Sequence, residues 1–188
     1  MKILFVGRLV DFKGPIIFIK AAQFLSQNTP ENPHEFIVAG DGELMNECKK
    51  LASGYSNISL LGWVDQQTVN DLMDQADVFC QLSPYENIWA ASLISAMKHK
   101  KAVICTDVGY TRTYLTHNYN VFLIPPNDHV VLAEAIKKLA NDSQLRHILG
   151  ENARSFVREN LSVEKITGEI QQLLVQVVEQ FREKRISE

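Results

Sequence analysis

The stretch DVFCQLSPYENIWAASLISAM, residues 77–97, holds a strand, a turn and a helix in one short segment. Its first six residues are mostly apolar, as expected for a buried strand, and Ser83 and Pro84 then indicate a turn. The helix that follows is almost wholly apolar, which predicts that it is buried. One acid, Glu86, lies at the mouth of this helix, so the turn is a candidate functional site.

The rest of the chain repeats this alternation. Short apolar runs predict strands at 2–6, 35–40, 57–62, 77–82, 101–106 and 120–124. Helical patterns cover about 15–27, 43–53, 66–75, 88–98, 111–116, 128–140, 143–159 and 163–184. Strands that are apolar throughout and alternate with helices are typical of parallel sheets. The sequence therefore predicts an α/β fold: a doubly wound, Rossmann-like parallel sheet of about six strands, with helices on both faces and further helices at the C-terminus.

The composition is that of an ordinary globular protein. The 188 residues are 46% hydrophobic and 22% charged, with a net charge of -3, which argues against a general nucleic-acid binder. No apolar run reaches the length of a membrane span. Cys80 and Cys105 lie inside apolar runs, which predicts small core residues and a reducing, cytoplasmic compartment. The five histidines are predicted on loops or helix surfaces, without the spacing of metal ligands.

Charged and glycine-rich residues follow the first predicted strand. The segment GRLVDFKG, residues 7–14, places Arg8 and Lys13 at the edge of the sheet where ligands of open parallel sheets bind. Cations beside helix N-termini favour a phosphate or pyrophosphate site, although both could also be solvated loop charges. The segment matches neither GxGxxG nor GxxxxGK[ST], so a common dinucleotide or P-loop site is not supported.

Six motifs occur in the order and spacing of a known family. They are GRLVDFKG (7–14), FIVAGDGEL (36–44), NISLLGWV (57–64), ADVFCQLSPYEN (76–87), SAMKHKKAVICTDVGY (95–110) and VFLIPPND (121–128). Over residues 3–160 the chain resembles the C-terminal domain of family 4 glycosyltransferases, which are retaining enzymes of the GT-B fold. That resemblance implies a domain that binds a nucleotide-sugar donor, while a separate N-terminal domain binds the acceptor.

The resemblance also implies roles for individual residues. Arg8 and Lys13 match the pair that grips the donor diphosphate, and Glu86 matches the acid that hydrogen-bonds the donor sugar. These three are the candidate catalytic residues. Further contacts to the nucleotide or its phosphates are implied for Gly7, Gly40, Gly42, Gly62, Trp63, Val64, Asn87, Ile88 and Trp89. A packed core aromatic is the alternative for Trp63. No metal and no tightly bound cofactor are expected, because the fixed cations stabilise the leaving diphosphate.

Two positions depart from the family pattern. The second acid, which in relatives holds the ribose hydroxyls, falls on Ile94 by counting or on Ser95 by alignment of SAMK. Neither is a carboxylate, and Ser95 would supply at most one weaker hydrogen bond. The loop after the fifth strand carries Tyr110 and Arg112 where relatives commonly have Gly and Pro-Glu. Both residues are therefore candidates for sugar selection. For Arg112 the alternative is a charge that faces solvent.

The predicted domains are a nucleotide-sugar-binding domain at 1–162 and an amphipathic helix at 163–188. An apolar stripe recurs at helical spacing in that helix, at Ile166, Ile170, Leu173, Leu174, Val177 and Phe181. It is expected to dock on an N-terminal domain outside this chain, with packing on its own core, self-association and membrane-surface docking as alternatives. Complete enzymes of the family are about twice as long, so we expect this chain alone not to transfer sugar.

The function these patterns indicate is donor binding in a retaining glycosyltransferase. A uridine-diphosphate sugar is the expected donor, with hexosyl or N-acetylhexosaminyl transfer to a lipid-linked or glycan acceptor at the inner membrane surface. The expected setting is bacterial O-antigen or capsule assembly. Two alternatives remain: a non-catalytic nucleotide- or partner-binding module, and a nucleotide-sugar epimerase of the same architecture.

Overall fold

A computed structural model describes residues 1–29, 34–85 and 90–186. Its contacts divide the chain into two compact units, Met1–Arg154 and Ser155–Glu188. The described strands are β1 (Lys2–Val6), β2 (Glu35–Ala39), β3 (Ile58–Gly62), β4 (Val78–Gln81), β5 (Ala102–Thr106) and β6 (Phe122–Ile124). The described helices are α1 (Pro15–Asn28), α2 (Met45–Ala52), α3 (Gln66–Gln75), α4 (Ala91–Lys98), α5 (Thr111–Tyr114), α6 (His129–Asn141), α7 (Ser143–Asn160) and α8 (Val163–Ile186).

The strands of the first unit form one parallel sheet in the order β3-β2-β1-β4-β5-β6. In the centre, Ile3 of β1 pairs with Phe36 of β2 on one side and with Val78 of β4 on the other. The predicted doubly wound α/β fold is therefore confirmed. The strand order reverses between β1 and β4, and the loops after these two strands open a crevice at the C-terminal edge of the sheet.

The core lies between the sheet and the helices that cover it. Phe18 of α1 is fully buried, and its ring centroid lies 5.7 Å from those of both Phe5 and Phe36. Cys48, Cys80 and Cys105 are buried, so the core role predicted for the last two is confirmed.

The element bounds agree with the sequence patterns within about two residues, apart from the start of α4 and one short segment that the patterns do not predict. The helix after β4 was expected from residue 88, but among described residues it begins at Ala91, with Ala90 as its N-cap. The segment Asp11–Lys13 forms a 3₁₀ turn that no periodicity predicts, because it is too short to show one. The helix expected at 111–116 ends at Tyr114, whose successor Leu115 is extended.

Backbone packing at the C-terminal edge requires glycine at position 40. Gly40 has φ 143°, and a Cβ placed there would lie 1.9 Å from the carbonyl oxygen of Gly7. The Gly7 N–H donates to Ala39 O at 3.0 Å, and the Gly40 N–H donates to Gly62 O at 2.7 Å. The ends of β1, β2 and β3 are thus held together directly through their backbones.

The second unit consists of the end of α7 and the helix α8. Along α8, apolar residues at Val163, Ile166, Ile170, Leu173, Leu174 and Val177 are exposed. The boundary predicted between residues 162 and 163 and the docking of this helix remain predictions. No helix in the described ranges is long and apolar enough to cross a membrane.

His34 is buried at the start of β2, contrary to the surface position predicted for it. Its side chain is 7% exposed, and its Nδ1 has no hydrogen-bond partner in the part of the chain that the structure describes. Its ring lies edge-on to Phe36, with the centroids 6.5 Å apart. Burial, with a smaller contribution from the N-terminal amine, lowers the pKa of His34 below 6.5. The folded protein therefore favours the neutral imidazole.

We predict that Gly40→Ala destabilises the fold far more than Gly54→Ala. Both glycines have positive φ, but nothing lies within 4 Å of a Cβ built at Gly54. The Gly54 variant should therefore lose about 1 kcal/mol of unfolding free energy through backbone strain alone. The Gly40 variant should lose about 3 kcal/mol or more, because the backbone of Gly7 must also move. Urea unfolding of the two variants measures the difference; equal losses would contradict the assigned contact.

We predict that His34 makes the protein less stable in acid. Because its pKa is lower in the folded state, the unfolded chain takes up the proton first, so stability is retained above pH 6.5 and falls as the pH drops below it. Urea unfolding at about pH 7.5 and about pH 5.5 should give a smaller stability loss for His34→Leu than for the wild type. An identical loss in both proteins would show that His34 does not titrate differently on folding.

Candidate active site

A cavity of about 310 Å³ opens at the C-terminal edge of the sheet. Gly7 and Lys13 reach it from the loop after β1, and the start of α4 contributes Ala90, Ala91, Ser92 and Ser95. The cavity therefore lies where the strand order reverses, between β1 and β4, which we call the β1/β4 switch. Helix α3 closes another side with Gln66 and Val69. Its size falls at the lower end of the range usual for small-ligand sites. The polar lining side chains among the described residues are those of Lys13, Gln66, Ser92 and Ser95.

The loop after β1 is fixed on both sides by backbone contacts. The Leu9 N–H donates to Asp41 O at 3.0 Å, and the Leu44 N–H donates to Leu9 O at 2.9 Å, which ties the loop to the turn after β2. On the other side, Gly14 has φ 74°, and a Cβ there would lie 2.6 Å from Leu82 O at the end of β4. The backbone that carries Arg8 and Lys13 is therefore held between two strand ends.

Arg8 and Lys13 share an aromatic neighbour. The Arg8 Cζ lies 5.3 Å and the Lys13 Nζ lies 5.6 Å from the centroid of the Phe12 ring. Lys13 lines the cavity, while Arg8 is exposed and lies outside the cavity wall. Within the described ranges neither cation forms an ion pair with a carboxylate. No acid in these ranges therefore offsets either charge.

The structure distinguishes between the two positions predicted for the missing acid. Ser95 lines the cavity on the same face of α4 as Ala91 and Ser92, whereas Ile94 is not among the described lining residues. Ser92 is occupied, since its Oγ donates to the buried Gln81 Oε1 at 3.2 Å. Lys13 is the charged member of the lining that the structure describes, so this part of the wall carries positive charge.

The glycines of the neighbouring turns lie at the same sheet edge but outside this cavity wall. Gly40 and Gly62 are joined by a backbone hydrogen bond, and a Cβ at Gly42 would lie 2.5 Å from Leu9 O. Trp63 is 77% exposed, so the alternative of a core aromatic is wrong for it. Val64 is half-buried beside it. The nucleotide contacts implied for these residues remain predictions.

Four predicted site residues lie outside the described residues: Glu86, Asn87, Ile88 and Trp89. Their roles therefore stay as the sequence predicts them.

The loop after β5 is fastened by an ion pair. The Arg112 Nε donates to both carboxylate oxygens of Asp107, at 2.9 and 2.8 Å. These hydrogen bonds, followed by the attraction of the two charges, raise the pKa of the Arg112 guanidinium. The Arg112 side chain is 70% exposed, in agreement with the solvent-facing alternative, and it is paired within its own loop. Tyr110, two residues earlier, is also exposed.

Several lining or neighbouring residues were not predicted from the sequence, among them Gln66 and Phe12. Gln66 begins α3 and reaches the cavity through the packing of that helix, so a survey of residues that follow strands does not find it. Phe12 lies within the predicted loop, but its position between two cations follows from the 3₁₀ turn. Among the described residues, no group of three or more His, Cys, Asp or Glu could hold a metal ion.

The chain is similar to sugar-transferring proteins over nearly its whole length. An uncharacterised glycosyltransferase of Methanocaldococcus jannaschii is 31% identical over 95% of this chain and 46% of its own length. The Escherichia coli UDP-Gal:alpha-D-GlcNAc-diphosphoundecaprenol alpha-1,3-galactosyltransferase is 27% identical over 92% of this chain and 45% of its own length. The chain thus spans just under half the length of these relatives.

The fold matches that of a solved structure, and the sequence matches a family model. The crystal structure of Anabaena HepE in complex with UDP-glucose superimposes with a TM-score of 0.81 at 23% identity, over 93% of this chain and 48% of that one. The family model for glycosyl transferases group 1 matches residues 1–156. With more than four-fifths of its residues matched, this chain belongs to the group 1 glycosyltransferases, whose fold is GT-B.

Proposed function

We propose that this chain is the nucleotide-sugar donor-binding domain of a retaining, family 4 glycosyltransferase. The observation that carries the proposal is the cavity at the β1/β4 switch, which Lys13 lines and beside which Arg8 is free of acidic partners in the described ranges. A site of this charge and position favours a diphosphate, because cations at the C-terminal edge of a parallel sheet meet the phosphates of a ligand bound there.

A uridine-diphosphate sugar is the donor we propose. The E. coli relative is named for transfer from UDP-galactose, and the HepE structure holds UDP-glucose. The same relative is named for an undecaprenol-linked acceptor, which supports transfer of a hexosyl or N-acetylhexosaminyl unit to a lipid-linked glycan. O-antigen or capsule assembly in the cytoplasm, at the inner face of the membrane, fits this chemistry.

The proposed chemistry places negative charge on the leaving nucleoside diphosphate. As the bond between the anomeric carbon and the diphosphate oxygen breaks, Lys13 and Arg8 stabilise the developing charge. Their charges are fixed before the reaction, so little reorganisation is needed in the transition state. Glu86 is proposed to orient the donor sugar through its hydroxyls. No metal ion is needed in this scheme, because the two cations neutralise the diphosphate.

The acceptor is proposed to bind a separate N-terminal domain. The chain matches just under half of each relative, which leaves room in the complete enzyme for such a domain. Helix α8 is proposed to dock on it through its exposed apolar stripe. The isolated chain is then expected to bind a nucleotide but to transfer no sugar.

A non-catalytic nucleotide-binding module is the second candidate. It is favoured by one observation: Ser95 occupies the cavity wall where the family's second acid is expected. A hydroxyl offers one hydrogen bond where a carboxylate accepts two from a ribose diol. Nucleotide affinity is therefore the property that separates an intact donor site from a degenerate one.

We predict that UDP binds this chain and that Lys13→Ala weakens the binding. Losing a charge-assisted hydrogen bond costs about 1.5–3 kcal/mol, which corresponds to a factor of about 10 to 100 in Kd. Arg8→Ala should act in the same direction but less strongly, because Arg8 is more exposed to solvent and is not in the cavity wall. Calorimetric titration with UDP, GDP and ADP measures the affinities and identifies the base.

The control for this titration is Lys98→Ala. Lys98 is an exposed lysine at the opposite end of α4, so its removal changes the net charge equally without touching the cavity. Its affinity for UDP should equal that of the wild type. If Lys13→Ala and Lys98→Ala bind UDP alike, the cavity is not the diphosphate site.

We predict that Ser95→Glu increases the affinity for UDP. The new carboxylate would accept hydrogen bonds from the ribose hydroxyls, and two such bonds should improve Kd by about tenfold. Ser95→Gln, which has the same length without the charge, is the matched control and should gain less. Titration with UDP and with 2′-deoxy-UDP should show the gain mainly for UDP; no gain for either would support the degenerate module.

A further inference from the structure

Phe12 contacts both cations of the candidate site. The Arg8 Cζ and the Lys13 Nζ lie 5.3 and 5.6 Å from its ring centroid, inside the distance of about 6 Å at which a cation is attracted to an aromatic face. Phe12 is 39% exposed, and the 3₁₀ turn that contains it has no buried residue. Phe12 is thus a large apolar side chain in a surface loop, and its ring lies close to two positive charges.

The backbone beneath Phe12 is firmly held. The Lys13 N–H donates to Val10 O at 2.9 Å, and the Gly14 N–H donates to Asp11 O at 3.1 Å, so the turn is closed across the residue. The hydrogen bond from Leu9 to Asp41 secures the same loop to the turn after β2. The ring therefore projects from a fixed position, and the long Arg8 and Lys13 side chains are the more adaptable partners.

An aromatic ring changes what two neighbouring cations do before a ligand arrives. Arg8 and Lys13 repel each other, and in the described ranges neither has a carboxylate that would offset the repulsion. Without the ring, both flexible side chains would spread into solvent and would have to be ordered when an anion binds. Attraction to the face of Phe12 keeps both near the cavity. A guanidinium or ammonium on a ring still directs other N–H groups away from it, so these can meet phosphate oxygens.

We propose that Phe12 is a positioning residue that pre-organises Arg8 and Lys13 for the diphosphate of the donor. The proposal rests on the proposed function, because it assigns Phe12 to the same diphosphate site. It also goes further, since the binding strength of the two cations then depends on an uncharged residue that touches no phosphate. The effect must grow with the charge of the ligand, and it must depend on the aromatic face rather than on apolar bulk.

Calorimetric titration of UDP and UMP into four proteins tests the proposal. Phe12→Leu keeps an apolar side chain but removes the ring, and it should weaken UDP binding about threefold to tenfold, and UMP binding less. Phe12→Tyr retains the aromatic face and should stay within about twofold of the wild type. Tyr119→Leu is the matched control, an exposed aromatic between β5 and β6, and it should bind UDP as the wild type does.

The outcomes separate this proposal from the proposed function. If the wild type binds UDP and Phe12→Leu binds it equally well or more tightly, the positioning role is overturned while the diphosphate site stands. The same conclusion follows if Phe12→Leu weakens UMP and UDP by the same factor, because a general structural effect would act in that way. If the wild type binds no nucleotide, both proposals fail.

A second measurement tests the geometry without any nucleotide. Protons on the Arg8 δ-methylene and the Lys13 ε-methylene that lie over the ring face should have upfield NMR shifts. Those shifts should vanish in Phe12→Leu and persist in Phe12→Tyr, with the rest of the spectrum unchanged. Shifts that are the same in wild type and Phe12→Leu would show that the cations do not lie on the ring, which overturns the proposal.

Discussion

The position of β1 at the centre of the sheet is the constraint on which the candidate site depends. β1 pairs with β2 on one side and with β4 on the other, and the crossovers from these strands run in opposite directions. The connections after β1 and β4 therefore lead away from each other, which leaves a crevice between the two loops. The cavity, Lys13 in its wall and the start of α4 all lie at this crevice. The parallel pairing of the apolar strands thus forms the crevice independently of the functional side chains that line it.

Most of the fold could be predicted from the sequence, because apolar strands and amphipathic helices have local patterns. The cavity wall could be predicted only in part. Gly7 and Lys13 follow a strand and were found in that way, whereas Gln66 reaches the cavity through the packing of α3, which has no local signature. Similarly, Ser95 and Ile94 are adjacent in the chain, and only the rotation of α4 decides which of them lines the cavity. The contact of Phe12 with the two cations could not be predicted, because the position of its ring is set by a turn of three residues, which is too short to show a periodicity.

The electrostatics of the site favour the phosphates of a ligand over its other parts. Lys13 contributes positive charge to the described cavity wall, and the neighbouring hydroxyl and amide groups are neutral. Arg112, for which the sequence leaves a sugar contact or a solvent-facing charge, faces solvent and is paired with Asp107, so it adds little net charge to the edge. In the proposed function such a site would attract the diphosphate of the donor, and base and sugar would be distinguished by shape and by neutral hydrogen bonds.

The contact between Gly40 and the carbonyl of Gly7 bears on how short motifs are interpreted in this family. Selection against any side chain at position 40 would come from the neighbouring strand end, whether or not a nucleotide is bound. A glycine can therefore be retained at the rim of a binding site in descendants that have lost the ligand altogether. The glycines of the GDG turn are therefore required by the fold. A change of activity within the family is expected to alter the side chains of the cavity wall instead.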